Sequence, residues 1–232
     1  LMEVCRMRDT PVIVFINKMD REGQDAFDLL DEIEEKLAIN VKPMSWPIGI
    51  GETFKGVYNM HRKNLNLFDA NKTAIERDIV KIDSLDNKNL NDLIGEEDAN
   101  LLRDEVELID GVYGEYDSEK YLSGKLAPVF FGSALNNFGV QELLESFLEI
   151  SPTPKGRETD LRKIEPEENK FSGFVFKIHA NIDPKHRDRI AFLRIVSGKF
   201  ERNKFYKHIR LDKKLKFPNP TSFMASTKEV VD

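Results

Sequence analysis

The sequence predicts an α/β domain followed by a small all-β module, and three observations support that prediction. A continuous apolar run at residues 11–16 precedes an amphipathic pattern at residues 25–39, which is typical of a buried strand and its following helix. A second apolar run at residues 127–131 leads into another helical pattern at residues 140–150. Beyond about residue 170 the hydrophobic period changes from 3.6 to 2, which indicates strands.

The first predicted domain covers residues 1–152 and contains an insertion at about residues 52–125. The insertion is indicated by a heterogeneous stretch that holds a predicted hairpin and a helix near residues 97–110. Strand, helix, insertion, strand and helix in this order predict a doubly wound α/β layer. Trp46 and the Phe-rich strands are expected to form the core.

A polar linker at residues 153–168 separates this domain from a predicted β-barrel at residues 169–232. The strands expected in the barrel are 171–180, 189–196, 204–211 and 221–225, with a turn at 197–199. Four strands are too few to close a barrel, and no further element is expected before residue 232. The sequence therefore predicts an incomplete barrel.

Composition excludes several classes of protein. Hydrophobic residues make up 40% of the chain and charged residues 33%, a soluble globular balance. No apolar run approaches the roughly 20 residues that span a bilayer, and no signal peptide is present, so a cytoplasmic protein without a membrane partner is expected. A single cysteine, Cys5, excludes a disulfide framework and a multi-cysteine metal site, and no metal site is predicted in this chain.

Charge divides the chain into two parts. Residues 166–232 hold 15 Lys and Arg against 8 Asp and Glu, a net charge of +7, whereas residues 1–165 carry −13. The basic part either faces a polyanion or uses its lysines to keep exposed strands from pairing edge to edge. Composition alone leaves both interpretations open.

The sequence NKMD at residues 17–20 directly follows the first buried strand, where open α/β folds bind nucleotides. The Asp20 carboxylate can accept two hydrogen bonds, from N1–H and the 2-amino group of guanine, a donor pair that adenine lacks. The stem of Lys18 can lie along the base face, and Asn17 can connect neighbouring loops through backbone contacts. These three residues are the predicted readers of the base.

A second motif follows the next buried strand, at Ser133, Ala134 and Leu135. A backbone N–H of this turn can meet the O6 atom of guanine. Together the two motifs predict a guanine-base site, and the alternative is a pair of ordinary polar turns.

No catalytic residue is predicted in this chain. A phosphate loop needs G-x-x-x-x-G-K-[ST], and the nearest match, at residues 51–56, is followed by Val57 where the lysine is required. We therefore expect an ordinary turn there, beside the base pocket.

The chain resembles the class II bacterial peptide-chain release factor, a translational GTPase. The similarity runs through NKMDR, WPIGIGETFKGVY, APVFFGSALNNFGVQELL and FSGFVFKIHANIDPKHRDRIAFLRIVSGKF. NKMD, PIG and GSA are shared with elongation factor G, whereas DPKHRDR (183–189), SGKF and FFGSALNNFG favour the release factor. The family's phosphate loop, switch threonine and D-x-x-G-H segment precede residue 11 in family order. Since the chain begins at Leu1 without an N-cap, we expect it to be an internal piece of a longer protein.

The resemblance implies the C-terminal part of a P-loop GTPase domain, followed by an elongation-factor-type β-barrel domain. The implied parent is a monomer that binds GTP or GDP with Mg²⁺, acts on the bacterial ribosome, and promotes release of class I release factors. Lys185, Arg187 and Arg189 are candidate contacts to ribosomal RNA, since phosphate contacts position a protein without reading sequence. Alternatives are an elongation factor G-like or ribosome-protection GTPase, and a non-catalytic ribosome-binding module. This chain alone is expected to be inactive and to bind GTP or GDP weakly if at all.

Overall fold

The computed structural model divides the chain into two units, Leu1–Pro152 and Thr153–Asp232. It describes residues 1–67, 78–82, 84–87, 89–180, 189–224 and 227–230. In those residues the helices are α1 (Met2–Arg6), α2 (Ala26–Leu37), α3 (Asn89–Ile94), α4 (Glu96–Tyr113), α5 (Ser118–Leu122) and α6 (Val140–Ile150). None of these helices is both long and apolar enough to cross a membrane.

The strands of the first unit form one parallel and one antiparallel sheet. The described strands are β1 (Val14–Ile16), β2 (Asn40–Pro43), β3 (Ser45–Ile48), β4 (Gly56–Asn59), β5 (Asn64–Leu67), β6 (Asp78–Lys81) and β7 (Leu126–Phe131). The parallel sheet has the order β1-β7-β2, and the antiparallel sheet has the order β3-β4-β5-β6.

The parallel sheet brings together strands that are far apart in sequence. Val14 lies opposite Val129 and Ile16 opposite Phe131, so β1 and β7 run side by side in the same direction. All six residues of β7 are buried, as expected of a central strand. The residues of β1 are only half-buried, because β1 lies at an edge of the described sheet. The strand predicted at 11–16 is confined to Val14–Ile16.

Trp46 connects the two sheets through the core. Its exposed fraction is 1%, and its ring centroid lies 4.6 Å from that of Phe27 and 5.4 Å from that of Phe131. The indole Nε1–H donates to Oε2 of Glu105 on α4 over 2.7 Å. Burial raises the pKa of the Glu105 carboxyl, and the Trp46 hydrogen bond opposes that rise. The prediction that Trp46 is a core residue is confirmed.

Side-chain contacts fasten the inserted sheet to α6. The Asn66 amide donates to Oε1 of Glu142 over 2.8 Å, in a buried setting. Arg62 pairs with Glu145 and, over 2.5 Å, with Glu149. The insertion is thereby held against the helix that follows β7.

The second unit consists of antiparallel strand pairs. Its described strands are β8 (Arg157–Glu158), β9 (Lys163–Ile164), β10 (Ser172–Ala180), β11 (Arg189–Ser197), β12 (Phe205–His208), β13 (Lys213–Lys216), β14 (Thr221–Met224) and β15 (Thr227–Val230). They pair as β8-β9, β10-β11, β12-β13 and β14-β15. Gly198 has φ +66° in the turn after β11, where a Cβ atom would meet the backbone of Phe171 at 2.5 Å.

Several predictions for these strands were wrong. The strand expected at 204–211 ends at His208, because a turn closes over Asp212, whose N–H donates to the Ile209 carbonyl. The strand β13 follows, and β15 forms where no further element was expected. Phe176, expected in the core, is 61% exposed. A period of two indicates strands but does not show where the chain turns, because the turn at residues 209–212 continues the alternation of apolar and polar residues.

Two expectations for the first unit also need correction. Strand β2 was not predicted, since Asn40–Pro43 has no apolar run of its own and is buried by the sheet around it. The inserted sheet starts at Ser45, ahead of the expected boundary near residue 52.

Candidate functional site

Two loops meet at the carboxyl edge of the parallel sheet. Residues 17–20 follow β1, and residues 132–139 follow β7. Because β1 and β7 are adjacent and parallel, both loops leave the sheet at the same edge. This places the two predicted motifs side by side, although 117 positions separate Asn17 from Ala134.

Asn17 connects the two loops. Its Oδ1 atom accepts the backbone N–H of Lys18 and the backbone N–H of Ala134, both over 2.8 Å. Lys18 takes a positive φ of 71°, so the backbone turns sharply directly after Asn17. An asparagine suits this position because its short amide can bond to nearby backbone.

Met19 fixes the loop at residues 17–20 through a buried side chain and two backbone hydrogen bonds. Its side chain is 3% exposed, and its N–H donates to the carbonyl of Gly132 over 3.1 Å. Its carbonyl accepts the N–H of Gly51, over 3.0 Å, from the 3-10 turn at Gly51–Thr53. The turn expected in place of a phosphate loop is therefore confirmed, and it supports the 17–20 loop.

The second loop is closed by a backbone pair and two glycines. The N–H of Ser133 donates to the Phe138 carbonyl over 3.0 Å, and the N–H of Phe138 returns a bond of 2.9 Å. A Cβ atom on Gly132 would meet the Phe138 carbonyl oxygen at 2.3 Å. Gly139 has φ +74°, and a Cβ atom there would lie 2.5 Å from the Phe131 carbonyl oxygen. Any larger residue at either position would open the loop.

The Asp20 carboxylate is the candidate hydrogen-bond acceptor for a bound base. Its Oδ2 atom accepts a hydrogen bond of 3.2 Å from the side-chain amide of Asn136. Its Oδ1 atom is shielded from solvent and has no hydrogen-bond partner within the described part of the chain. A buried acceptor left in this state costs about 1–3 kcal/mol, which a ligand with an N–H donor would recover once the groups that shield the oxygen move aside. The residues present therefore fit a base that donates to a carboxylate.

The other predicted site residues lie on the same two loops. Lys18, Ala134 and Leu135 are exposed at the two loops, and the Leu135 side chain is 81% exposed. Ser133 is buried, with an exposed fraction of 1%. The Ala134 N–H already donates to Asn17, so a base carbonyl that uses it must share that donor or displace Asn17.

Sequence reasoning missed Asn136, and it placed the turn at residues 51–56 beside the base pocket without naming the contact that Gly51 makes. Asn136 contacts Asp20, and Gly51 contacts Met19. The position of Asn136 three residues after Ser133 was the available signal, because a polar side chain in so short a loop can reach back to the Ser133 hydroxyl. Nothing in the sequence around Gly51 indicated which loop it would touch.

The candidate RNA contacts lie in the second unit. Lys185 and Arg187 fall outside the described residues, and Arg189 is exposed at the start of β11. The β12-β13 hairpin, residues 205–216, carries four further lysines and Arg210, all exposed. Sequence reasoning did not single out this hairpin.

Comparison with known proteins now assigns the family. A family model described as the Elongation factor Tu GTP binding domain matches residues 1–153. A second model, Elongation factor G domain 2, matches residues 170–232. The chain belongs to the translational GTPases. The predicted fold class, a GTPase-type α/β domain followed by a β domain of the elongation-factor type, is confirmed.

A solved structure has the same fold as this translational GTPase chain. A crystal structure of a protein from Thermus thermophilus superposes with a TM-score of 0.64 at 19% sequence identity. The match covers 99% of this chain and 34% of the other. The chain thus spans about a third of the length of that structure.

Proposed function

We propose that this chain supplies the guanine-base half of the nucleotide site of a GTP-hydrolysing translation factor. The observation that supports it is Asp20, whose shielded Oδ1 lacks a partner among the described residues at the junction of two loops tied by Asn17. In this function the carboxylate accepts hydrogen bonds from N1–H and the 2-amino group of guanine. Lys18 lies along the base, and the turn at Ser133, Ala134 and Leu135 supplies backbone N–H groups near O6.

Hydrolysis requires parts that the sequence of this chain does not supply. Phosphoryl transfer depends on a phosphate loop, Mg²⁺ and a positioned water, and GTP brings the triphosphate whose terminal group is transferred. The proposed role of the residues in this chain is to select and orient the base. The proposed setting is the bacterial cytoplasm, where the ribosome is the partner.

Nucleotide titration tests whether this chain binds the base without the phosphate contacts. The full-length protein is expected to bind fluorescent GDP, whereas this 232-residue chain alone is expected to bind it more weakly than micromolar, because the phosphate contacts are missing. Competition with unlabelled GDP and ADP measures base selectivity, and ADP should fail to displace the probe. Sub-micromolar binding by the isolated chain would contradict the proposed division.

The β12-β13 hairpin favours ribosomal RNA as the partner of the second unit. Phe205, Lys207, Lys214 and Lys216 share one face, whereas Tyr206 on the other face packs on Phe171 at 4.6 Å. Lys207 lies directly opposite Lys214, and the ion pair of Lys207 with Asp212, over 2.9 Å, offsets only part of the repulsion between the two lysines. Phosphate groups would relieve this repulsion, and the exposed Phe205 offers a surface on which an unpaired base can stack.

Charge reversal of Lys207 and Lys214 tests this contact. The double change Lys207→Glu and Lys214→Glu is expected to weaken ribosome binding and to lower the slope of log affinity against log salt by roughly one per lost phosphate contact. The measurement is co-sedimentation with ribosomes at several salt concentrations. Lys36→Glu, an exposed change on the first unit, is the matched control and should leave the slope unchanged. An unchanged slope in the double variant would indicate that the lysines only keep the strands from aggregating.

Within this class we propose a release factor of the class II type, which promotes release of class I factors after peptide hydrolysis. The blocks DPKHRDR, SGKF and FFGSALNNFG support that choice. The second candidate is an elongation factor G-like or ribosome-protection GTPase, which the match to Elongation factor G domain 2 favours equally. The full-length protein should speed dissociation of a labelled class I factor from terminated ribosomes and leave messenger RNA translocation unchanged. The opposite pattern would favour the second candidate.

A further inference from the structure

We propose that Asn136 is a positioning residue that orients the Asp20 carboxylate and thereby sharpens the choice of guanine over bases without a 2-amino group. The inference rests on the proposed function of the site and adds a residue to it. It is based on the position of the Asn136 amide between two acceptor oxygens, one on Asp20 and one on Ser133.

The Asn136 amide joins the two loops a second time. Its Nδ2 atom lies 3.2 Å from Oδ2 of Asp20 and 3.1 Å from Oγ of Ser133. An amide nitrogen carries two hydrogens, so it can donate to both oxygens at once. The orientation of this amide follows from chemistry, since an ionised carboxylate only accepts hydrogen bonds and would repel the amide oxygen.

This arrangement makes the two carboxylate oxygens of Asp20 unequal. Oδ2 is held by Asn136, and this fixes the rotation of the carboxylate about its last side-chain bond. Oδ1 then stays shielded and without a partner among the described residues. A carboxylate has about four acceptor positions, so Oδ2 can still accept from a ligand while it is held.

Ser133 is the fixed end of this contact. Its exposed fraction is 1%, and its backbone pairs with Phe138 at both N–H and carbonyl. Asn136 itself is exposed and lies between these paired residues. The amide therefore transmits the position of a rigid loop to the more exposed carboxylate of Asp20.

The orientation of the Asp20 carboxylate decides whether it can accept two hydrogen bonds from guanine or only one. Guanine donates from N1–H and from its 2-amino group, so both bonds form only when the carboxylate lies in the plane of the base. Hypoxanthine, the base of inosine nucleotides, keeps N1–H but lacks the 2-amino group. A carboxylate free to rotate keeps one bond and loses the other, so it discriminates less between the two bases.

The test compares affinities for GDP and inosine diphosphate in the full-length protein, by displacement of fluorescent GDP. Asn136→Ala is expected to weaken GDP binding about tenfold, because the hydrogen bond from the 2-amino group of guanine to the reoriented Asp20 carboxylate is weakened or lost. Inosine diphosphate binding should weaken less, so the ratio of the two affinities falls. A merely structural loss would weaken both nucleotides equally.

Three further variants keep the result interpretable. Asn136→Asp has nearly the same shape but replaces the donor with a second carboxylate, so GDP should bind more weakly still and recover as the pH falls. Asn136→Gln keeps the amide and should restore part of the selectivity. Gln141→Ala removes another exposed amide, one that donates to Glu145 instead, and should match the wild type.

The outcomes separate this inference from the proposed function. If Asn136→Ala keeps the wild-type affinity ratio, or binds GDP more tightly, Asn136 does not position the carboxylate and the inference fails. If Asp20→Asn leaves base preference unchanged, the guanine site itself fails. If base preference changes in Asp20→Asn but not in Asn136→Ala, the inference about Asn136 fails and the proposed guanine site stands.

Discussion

Replacing Asp20 with asparagine is expected to turn the nucleotide preference of the full-length protein from GTP toward xanthosine triphosphate. The carboxylate can accept from both guanine donors, whereas an amide presents one acceptor and one donor group. Xanthine carries a carbonyl where guanine has its 2-amino group, so the amide can donate to it. We expect GTP affinity to fall about a hundredfold, since two hydrogen bonds to a charged group are lost or weakened.

Competition between GDP and xanthosine diphosphate measures the effect. Asp28→Asn is the matched control, because it makes the same change of charge at an exposed position in the first turn of α2. The control should bind GDP like the wild type. Unchanged GDP affinity in Asp20→Asn would remove Asp20 from the base site and leave its shielded oxygen unexplained.

Replacing Trp46 with alanine is expected to destabilise the first unit by about 3–5 kcal/mol, the usual cost of removing a large aromatic side chain from a core. Trp46 packs against Phe27 of α2 and Phe131 of β7, so the cavity would lie between the two sheets. That cost is a large part of the roughly 5–15 kcal/mol that stabilises a typical domain. Urea denaturation followed by circular dichroism measures it.

Two variants separate packing from hydrogen bonding at this position. Trp46→Phe keeps an aromatic ring but removes the indole N–H, which leaves the half-buried Glu105 carboxylate without that donor. It should cost less than alanine and raise the pKa of Glu105 further, because the bond that lowers that pKa is gone. Leu101→Ala, at a side chain 52% exposed on α4, should change stability by less than about 0.5 kcal/mol. A Trp46→Ala variant as stable as Leu101→Ala would contradict the assigned core.

The local pattern of apolar residues was sufficient to predict the two strands that precede the loops of the candidate site. The apolar run before residue 17 and the one before residue 132 each indicated a buried strand, and both strands form, although β1 is only half-buried. Polar residues directly after such strands lie at the carboxyl edge of a parallel sheet, so chemistry and position could be predicted together. This reasoning identified Asn17 and Asp20, which the structure brings to one edge.

Local pattern was insufficient where burial comes from distant residues. Strand β2 was missed because Asn40–Pro43 has a polar sequence that pairs with β7, which lies more than 80 positions further along. In the second unit the strand pairs could not be predicted, since a hairpin turn such as the one after β12, with Ile209 and Leu211, looks like a continuation of the strand. Asn136 was missed because its partner, Asp20, is 116 positions away.

The order of residues was enough to establish the fold class, the position of the base-reading motifs after two strands, and the split of charge between the two parts. These follow from hydrophobic period and residue type, which act over a few neighbouring positions. Residue type indicated that Asn17 joins neighbouring loops, but its partner Ala134 became known only from the folded chain, as did the contacts of Gly51 with Met19 and of Asn136 with Asp20. They depend on which strands become neighbours, and strand pairing is set by the packing of the whole unit.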